Sequence, residues 1–223
     1  MGKDKLKKFS ELNTFTNVLQ PSLNEIQPAH KIKGKWNLEF KNDNPIVLEL
    51  GCGKGEYTIG LAKRNPDTNF IGVDIKGARI WKGAKTMNDQ EIENVRFLRT
   101  KIDFIEYFFS KDEVSEIWLT FSDPQPKRPR KRLTSPLFIE RYKKFLCPNG
   151  TIHLKTDSNL LYNYTLDEIK ENNYTIIEKS TNIYNELIPR ATKKLQETLS
   201  IQTFYESLWL KENKTIKYIA FVI

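Results

Sequence analysis

A glycine-rich turn with acidic neighbours is the first feature of this sequence that could do chemistry. The turn reads ELGCGKG over residues 49–55 and directly follows an apolar run that begins at Pro45. Glycine lets a backbone turn tightly and approach a ligand closely. A dinucleotide-binding turn needs a third glycine where this sequence has Glu56, and a pyrophosphate would meet carboxylates at both Glu49 and Glu56. The pattern therefore disfavours a dinucleotide-dependent dehydrogenase.

Carboxylates at this turn suit a cationic ligand better than an anionic one. S-adenosylmethionine carries an ammonium group and a sulfonium group and no phosphate, so a carboxylate at Glu49 attracts it. Asp74 ends a second apolar run, at the position along the chain where nucleotide-binding folds place an acid that accepts hydrogen bonds from ribose hydroxyls. Glu49, Gly51 and Asp74 therefore predict an S-adenosylmethionine site.

A second motif, TFSDPQPKRPRKR over residues 120–132, directly follows another apolar run. Its three prolines stiffen the loop because proline fixes φ. Asp123 lies where a methyl-transferring enzyme would meet its acceptor. The net charge of +8 and the basic end of the loop suit a phosphate backbone, so we expect a nucleic-acid partner. The five cations of the loop are Lys127, Arg128, Arg130, Lys131 and Arg132.

Apolar runs and helical patterns alternate from residue 45 onward. Strands are predicted at 45–50, 69–74, 95–99, 116–121, 151–155, 174–179 and 216–222, and helices at 56–64, 77–88, 103–110, 136–146 and 158–171. This alternation predicts an α/β fold with a doubly wound, mostly parallel, seven-stranded sheet of the Rossmann-like type, in which ligands bind beyond the carboxyl ends of the strands. Residues 1–44 are polar and predict a basic N-terminal extension ahead of a methyltransferase domain at 45–223.

Composition excludes several classes of protein. With 223 residues, of which 39% are hydrophobic and 29% charged, the chain is typical of one globular domain. No apolar run approaches the roughly 20 residues that span a bilayer, so no membrane partner is expected. Two cysteines, Cys52 and Cys147, indicate a reducing compartment, and we expect a cytoplasmic protein. The cysteines and the two histidines, His30 and His153, lack metal-ligand spacing, so no metal is expected.

Together the two motifs resemble those of the bacterial tRNA (guanine-N7-)-methyltransferases, a family of class I S-adenosylmethionine-dependent enzymes. The resemblance runs from about residue 45 to the end, and FSDPQPK at 121–127 is its most specific part. It implies methyl transfer from S-adenosylmethionine to N7 of guanine-46 in the variable loop of tRNA. The family's usual loop reads Asp-Pro-Trp-Pro, and Gln125 here replaces the aromatic residue and removes a stacking surface.

Several residues acquire roles from this resemblance alone. Asp123 matches the family's active-site acid, which also contacts the cofactor, and Lys127 matches a tRNA contact. Asp157, in the sequence Lys-Thr-Asp after a predicted strand, matches a substrate contact. Thr203 and Glu206 match the family's C-terminal Thr-x-[Phe/Tyr]-Glu motif, which implies places in the substrate pocket.

The position expected at the adenine departs from the family. Members usually carry an acid there, whereas this sequence has Lys101, with Asp103 two residues later. Backbone amides at Lys101 and the following residue could still bind the adenine edge, so Lys101 is kept as a cofactor contact. Asp157 has a simpler alternative role, since Asp157 and Ser158 together could cap the next helix.

Methylation of guanine N7 requires no general base, because N7 carries a lone pair and no proton. Two alternatives to this function stay open at the level of sequence. One is an amino-methyltransferase, although such enzymes usually carry Asn/Asp-Pro-Pro-aromatic where this chain has DPQP at 123–126. The other is a non-catalytic RNA-binding protein of the same fold, against which Glu49, Asp74 and Asp123 argue together. The tryptophans are interpreted as packing residues, with Trp36 also a candidate RNA contact.

Overall fold

The computed structural model describes the backbone of residues 3–223 and the side chains of residues 6–223. Its strands are β1 (Val18–Leu19), β2 (Ile46–Leu50), β3 (Asn69–Asp74), β4 (Val95–Arg99), β5 (Val114–Thr120), β6 (Leu146–Thr156), β7 (Thr175–Ser180) and β8 (Lys217–Val222). Its α-helices are α1 (Lys3–Leu12), α2 (Leu23–Ile26), α3 (Trp36–Phe40), α4 (Glu56–Arg64), α5 (Gly77–Asp89), α6 (Pro136–Tyr142), α7 (Asn159–Glu171), α8 (Lys193–Leu199) and α9 (Phe204–Lys211).

All eight strands form one sheet in the order β1-β4-β3-β2-β5-β6-β8-β7. Neighbouring strands are parallel from β1 to β6, and β8 lies antiparallel between β6 and β7. The predicted doubly wound, mostly parallel α/β sheet is therefore confirmed, with eight strands instead of seven. The additional strand is β1, which comes from the segment ahead of residue 45.

Each central strand is buried on both of its faces. Along β5, Ile117 and Leu119 belong to one apolar cluster and Trp118 to the other. The same alternation holds in β2, where Leu48 and Val47 point to opposite sides. Parallel strands covered by helices on both faces read as continuous apolar runs, which is why the sequence predicted them well.

The helices were predicted less accurately than the strands, both at their ends and between residues 181 and 215. The helix predicted at 136–146 ends at Tyr142, and the one predicted at 103–110 is a 3₁₀ helix over Ile102–Tyr107. Between β7 and β8 the chain forms α8 and α9, which carry no clear helical pattern in the sequence. Within the described residues, no helix has both the length and the apolar character needed to cross a bilayer.

The segment ahead of residue 45 contributes side chains to the core. Trp36 is fully buried, its indole N–H donates to the carbonyl oxygen of Phe108 at 2.9 Å, and its ring stacks on Phe109. The interpretation of Trp36 as a candidate RNA contact is therefore wrong, since the ring has no accessible surface. Helix α1 packs on α5, where the indole of Trp81 donates to Glu11 at 2.7 Å.

The order of the strands reverses between β2 and β5. Chain crossovers run in opposite directions from this point, which leaves a crevice at the carboxyl ends of the two strands. Glu49 on β2 lies in register with Gly72 on β3 and Trp118 on β5. The ends of β2, β3 and β5 therefore bring Glu49, Asp74 and Thr120 to one edge of the sheet.

Candidate active site

The glycine-rich turn leaves β2 by folding over the end of β3. The backbone amides of Gly51 and Cys52 both donate to the carbonyl oxygen of Val73, at 2.8 and 3.0 Å. Gly51 has φ 85° and Gly55 has φ 71°, a region that glycine occupies without steric cost. A Cβ on Gly55 would lie 2.6 Å from the ring of Phe97. The turn therefore needs glycine for its conformation and, at Gly55, for space.

Glu49 presents a buried carboxylate at the centre of the crevice. Its side chain is 3% exposed. One oxygen accepts from the backbone amide of Thr58 at 2.8 Å and from the Thr58 hydroxyl, and the other accepts from the hydroxyl of Thr120. Burial raises the pKa of Glu49 to about 7, although these hydrogen bonds act in the opposite direction. All three donors are neutral, so the ionised carboxylate keeps a charge that a cationic ligand can compensate.

Asp74 joins the turn to the start of α5. One carboxylate oxygen accepts from the backbone amide of Gly53 at 3.0 Å, and the other accepts from that of Lys76 at 2.7 Å. The same side chain lines a cavity of about 430 Å³. Thr100 lies on the wall of this cavity, and its buried hydroxyl has no hydrogen-bond partner among the described residues. The polar side chain that lines this cavity next to the glycine-rich turn is therefore that of Asp74.

Two cavities meet at the glycine-rich turn. Gly51 lines both the cavity that contains Asp74 and a second one of about 280 Å³ that contains Glu49 and Thr120. Residues from the C-terminal part of the chain close the second cavity: Thr203, Tyr205 and Trp209. The crevice is thus one elongated cleft that passes on both sides of the turn.

Asp123 lies in the loop that connects the two parts of the cleft. Thr120 at the start of the loop lines the smaller cavity, and Gln125 lines the larger one. One oxygen of Asp123 accepts from the backbone amide of Gln125 at 2.9 Å, and the side chain is exposed. Phe121 and Gln125 have φ of 52° and 44°, a strained conformation for residues other than glycine and one that often marks functional loops.

The basic part of the loop is less uniform than its sequence indicates. Arg132 is 5% exposed, donates from Nε to the carbonyl oxygen of Pro124 at 2.9 Å and lies over the ring of Tyr164. The prediction that all five cations face a phosphate backbone is therefore wrong for Arg132, which holds the loop closed instead. Lys131 pairs with Asp103 at 2.8 Å. Exposed side chains remain at Lys127, Arg128 and Arg130.

Lys101 and Asp103 both line the larger cavity beside Asp74. Asp103 lies between Lys131 and Arg141, and the hydrogen bond from Lys131 is the main reason that the pKa of Asp103 lies below its usual value. Lys101 is exposed, with its ammonium over the ring of Phe104. The structure therefore brings both residues to the cavity that Asp74 lines, and a cofactor contact by either of them stays a prediction.

The two C-terminal residues occupy different environments. Thr203 caps α9, where its hydroxyl oxygen accepts from the amide of Glu206 at 3.2 Å, and it lines the smaller cavity. Glu206 is 0% exposed and pairs with the ammonium of Lys155 at 2.8 Å. Glu206 has no exposed surface in this structure, and the substrate contact expected of it stays a prediction. Tyr205, half exposed, lines the cavity directly.

Asp157 directly follows β6, at the end of the sheet where the carboxyl ends of β2, β3 and β5 also lie. Ser158 caps α7 by accepting from the amide of Leu161 at 3.2 Å, so the capping alternative applies to Ser158 and not to Asp157. The carboxylate of Asp157 is partly exposed and accepts no hydrogen bond from the described side chains or backbone. Because Lys155 and Thr120 are in register, Asp157 lies next to the loop that carries Asp123.

The sequence analysis missed the structural roles of two residues, Glu56 and Lys155, that hold parts of this site together. Glu56 accepts from the backbone amide of Phe204 at 2.9 Å, and the ammonium of Lys54 lies over the Phe204 ring. The glycine-rich turn and the first turn of α9 are therefore joined directly. The signal for Glu56 was an acid at the position where a dinucleotide-binding turn has its third glycine. A lysine inside an apolar strand was the signal for Lys155.

The sheet order, the turn at the end of β2 and the cleft define a class I methyltransferase fold. A solved antibiotic-related methyltransferase superimposes with a TM-score of 0.61 at 13% identity, covering 92% of this chain and 96% of that one. A 16S rRNA methyltransferase, KamB, gives 0.59 at 14% identity over 82% of this chain and 92% of its own. At these identities the likeness concerns the fold.

Sequence relatives define the family. A family model described as "Putative methyltransferase" matches residues 43–219. A tRNA (guanine-N(7)-)-methyltransferase of Bacteroides fragilis is 50% identical over 100% of this chain and 87% of its own length. One from Christiangramia forsetii is 51% identical over 100% and 99%. The chain belongs to the tRNA (guanine-N(7)-)-methyltransferase family. The predicted family, enzyme class and S-adenosylmethionine cofactor are thereby confirmed.

The raised pKa of Glu49 generates a pH prediction for the protein without ligand. Between about pH 4.5 and pH 7 the folded protein keeps a proton on Glu49 that the unfolded chain releases, so raising the pH through this window lowers stability. We expect Glu49→Gln to remove this contribution, which is on the order of 1–3 kcal/mol. Urea unfolding at pH 5 and pH 7.5 measures it.

The matched control for Glu49→Gln is Glu197→Gln, which changes an exposed side chain on α8. This control should keep the pH dependence of the wild-type protein. Equal pH dependence in the wild type and in Glu49→Gln would contradict the assignment.

Proposed function

We propose that this chain transfers a methyl group from S-adenosylmethionine to N7 of a guanine in tRNA, and specifically to guanine-46 of the variable loop. The observation that carries the proposal is the cleft at the end of β2. Glu49 and Asp74 lie inside it, and Asp123 lies on the exposed loop between its two parts. Family membership supports the same reaction. We place the activity in the cytoplasm, in keeping with two free cysteines.

The residues of the cleft fit S-adenosylmethionine better than a phosphate-containing cofactor. Glu49 has only neutral donors and can compensate an ammonium group, whereas Glu49 and Glu56 would repel a pyrophosphate. Asp74 keeps lone pairs for ribose hydroxyls. Lys101 and Ile102, whose backbone amides could bind the adenine edge, line the part of the cleft assigned to adenine. When bound, the cofactor supplies a methyl group on a positively charged sulfur.

The protein's own contribution to the reaction is alignment and electrostatics. Guanine N7 needs no base, so the main requirement is that N7, the methyl carbon and the sulfur lie in line. The purine gains positive charge as the sulfur loses it. Carboxylates of Asp123 and Asp157 on adjacent loops would stabilise that charge if they are in place before the reaction begins.

Selectivity for guanine follows from the acceptors that the site leaves open. Guanine presents N1–H and an exocyclic amine on one edge, a pair of donors that adenine lacks. The Asp157 carboxylate accepts no hydrogen bond from the residues that the structure describes and can accept both, and adenine would leave it unpaired. Thr203 uses its oxygen as a cap acceptor, which leaves its O–H free to donate to the substrate.

Recognition of tRNA is assigned to the exposed cations beside the cleft. Lys127, Arg128 and Arg130 project from the loop that carries Asp123, which would bring phosphates close to the acceptor site. Neither sequence-based alternative has comparable support. The curated relatives are named for N7 of guanine and not for an amino group. The carboxylates of Glu49, Asp74 and Asp123, which a non-catalytic RNA-binding protein could lose, are present.

We expect Asp74→Ala to weaken S-adenosylmethionine binding by about 1–3 kcal/mol, because it removes a buried acceptor from the cleft. Glu49→Ala should also weaken it. Titration calorimetry measures the affinity, and Asp89→Ala at the exposed end of α5 controls for the change in net charge. Wild-type affinity in both cleft variants would refute this cofactor site.

Binding to tRNA should depend strongly on salt, and the double variant Lys127→Ala/Arg130→Ala should reduce the log–log salt slope by about one to two units. Both side chains are exposed and make no internal hydrogen bond among the described residues. A control with the same charge change is Lys111→Ala/Lys170→Ala, far from the cleft. Identical slopes in the two double variants would show that the loop does not bind phosphates. Lys3 and Lys5, also basic, have side chains outside the described residues.

Asp123→Asn tests the chemical step. Asparagine can keep the hydrogen bond to the amide of Gln125 while removing the charge, so folding should be unaffected. We expect kcat to fall by about 10²–10³, the effect of losing one preorganised electrostatic group. The melting temperature should change little, as in the exposed control Asp167→Asn, which should keep full activity. Unchanged kcat in Asp123→Asn would remove Asp123 from the mechanism.

A modified substrate tests the acceptor atom itself. In tRNA containing 7-deazaguanine at position 46, a C–H group replaces the nucleophilic nitrogen. We expect methyl transfer to that tRNA to be abolished while binding persists, with unmodified tRNA as the control. Undiminished transfer would mean that another atom accepts the methyl group and would revive the amino-methyltransferase alternative.

A further inference from the structure

Lys155 is a lysine that lies wholly inside the protein. It is on β6, its side chain is 0% exposed, and its ammonium lies 5.0 Å from the ring of Tyr57. Lysine is almost never fully buried unless its charge is paired. The proposed chemistry assigns no role to Lys155, so the reason for this buried charge has to lie in what it contacts.

The three N–H groups of the ammonium have three acceptors. Nζ donates to the carbonyl oxygens of Leu199 and Ile201 and to the carboxylate of Glu206, each at 2.9 Å. A lysine ammonium has three donors and no acceptor, so its hydrogen-bonding capacity is filled. The first acceptor belongs to the last residue of α8, the second to the backbone that joins α8 to α9, and the third to the first turn of α9. We call residues 199–211 the C-terminal wall of the cleft.

Glu206 links Lys155 to Tyr184 and to the N-terminal cap of α9. Its carboxylate accepts from the hydroxyl of Tyr184 at 2.9 Å and from the backbone amide of Thr203 at 3.4 Å, which completes the cap of α9. Helix α9 carries Tyr205 and Trp209, which line the smaller cavity together with Thr203. The position of these lining residues therefore depends on the pair formed by Lys155 and Glu206.

The backbone of Lys155 fixes the opposite side of the same cavity. Its carbonyl oxygen accepts from the amide of Phe121 at 2.8 Å, at the start of the loop that carries Asp123. The ring of Phe121 lies 4.8 Å from that of Trp209 on the wall. One residue thus holds the acceptor loop by its backbone and the C-terminal wall by its side chain.

We propose that Lys155 is a positioning residue that sets the separation between the acceptor loop and the C-terminal wall, and thereby the fit of the substrate guanine. This inference rests on the proposed function for the identity of the substrate. Stability alone is a weak reason for such a pair, because apolar residues of similar volume often replace buried ion pairs without loss. Unlike an apolar residue, Lys155 donates hydrogen bonds to two backbone carbonyl oxygens and holds them next to β6.

Three variants separate positioning from stability. Glu206→Gln removes one charge but keeps three acceptors around Lys155. Lys155→Met leaves Glu206 buried without a partner and should destabilise the protein. The double variant Lys155→Met/Glu206→Gln removes both charges, so stability should recover, yet the carbonyls of Leu199 and Ile201 stay untethered. Ile169→Ala, in the apolar cluster on the other face of the sheet, is the control for lost stability.

Two measurements are made on the full chain: steady-state kinetics with tRNA, and hydrogen–deuterium exchange without substrate. We expect the double variant to lower kcat by about 10- to 100-fold, since small misplacement of reacting groups costs rates of that size. Its affinity for S-adenosylmethionine should stay within about threefold of wild type, and exchange in residues 199–211 should rise about tenfold or more. Ile169→Ala should keep wild-type kcat and the wild-type exchange of the wall, whereas Glu206→Gln, which leaves the buried Lys155 ammonium without a counter-charge, should raise the exchange of the wall.

Wild-type exchange of residues 199–211 in the double variant would overturn the proposal, and so would wild-type kcat. If the wild-type protein fails to methylate tRNA, the proposed function fails, and the exchange experiment still decides whether Lys155 holds the wall. Lys155→Leu/Glu206→Gln, which also removes both charges and all three N–H donors of Lys155, replaces the double variant if that protein does not fold, with the same outcomes.

Discussion

The carboxylate of Glu49 is the constraint around which the site is built. A carboxylate buried at the centre of a sheet has to be satisfied by hydrogen bonds or by a counter-charge. Thr58 on α4 and Thr120 at the end of β5 supply hydroxyl groups, so a helix and two strands converge on one ionisable group. This convergence occurs where the strand order reverses and a crevice is unavoidable. The polar centre of the cleft and the apolar core around it are consequences of the same topology.

The chain satisfies its two buried glutamates in different ways. Glu49 has neutral donors only and borders a cavity, which leaves its charge available to a ligand. Glu206 has a lysine and no exposed surface, so its charge is already compensated inside the protein. The two acids therefore differ in whether their charge is compensated inside the protein, although both lie close to the cleft. Similar residue types in similar sequence settings do not reveal which is which.

The central strands could be predicted because burial on both faces produces apolar runs, as in residues 46–50 and 69–74. Their ends located Glu49, Asp74 and Asp123, since strand ends of a parallel sheet share one edge. Other features depended on contacts that are remote along the chain. Lys155 and Glu206 are separated by 51 positions, and Arg132 folds back on Pro124 in a way that a basic run does not show.

The shortest strand, β1, limits where this chain can be truncated. β1 is two residues long, yet it pairs with β4 at the edge of the sheet through Val18 and Leu19. An unpaired edge strand offers its backbone to neighbouring molecules and promotes aggregation. A fragment that began at residue 45 would bare β4 and leave a hole where the indole of Trp36 fills the core. Fragments intended for fusion or crystallisation should therefore begin well ahead of Val18.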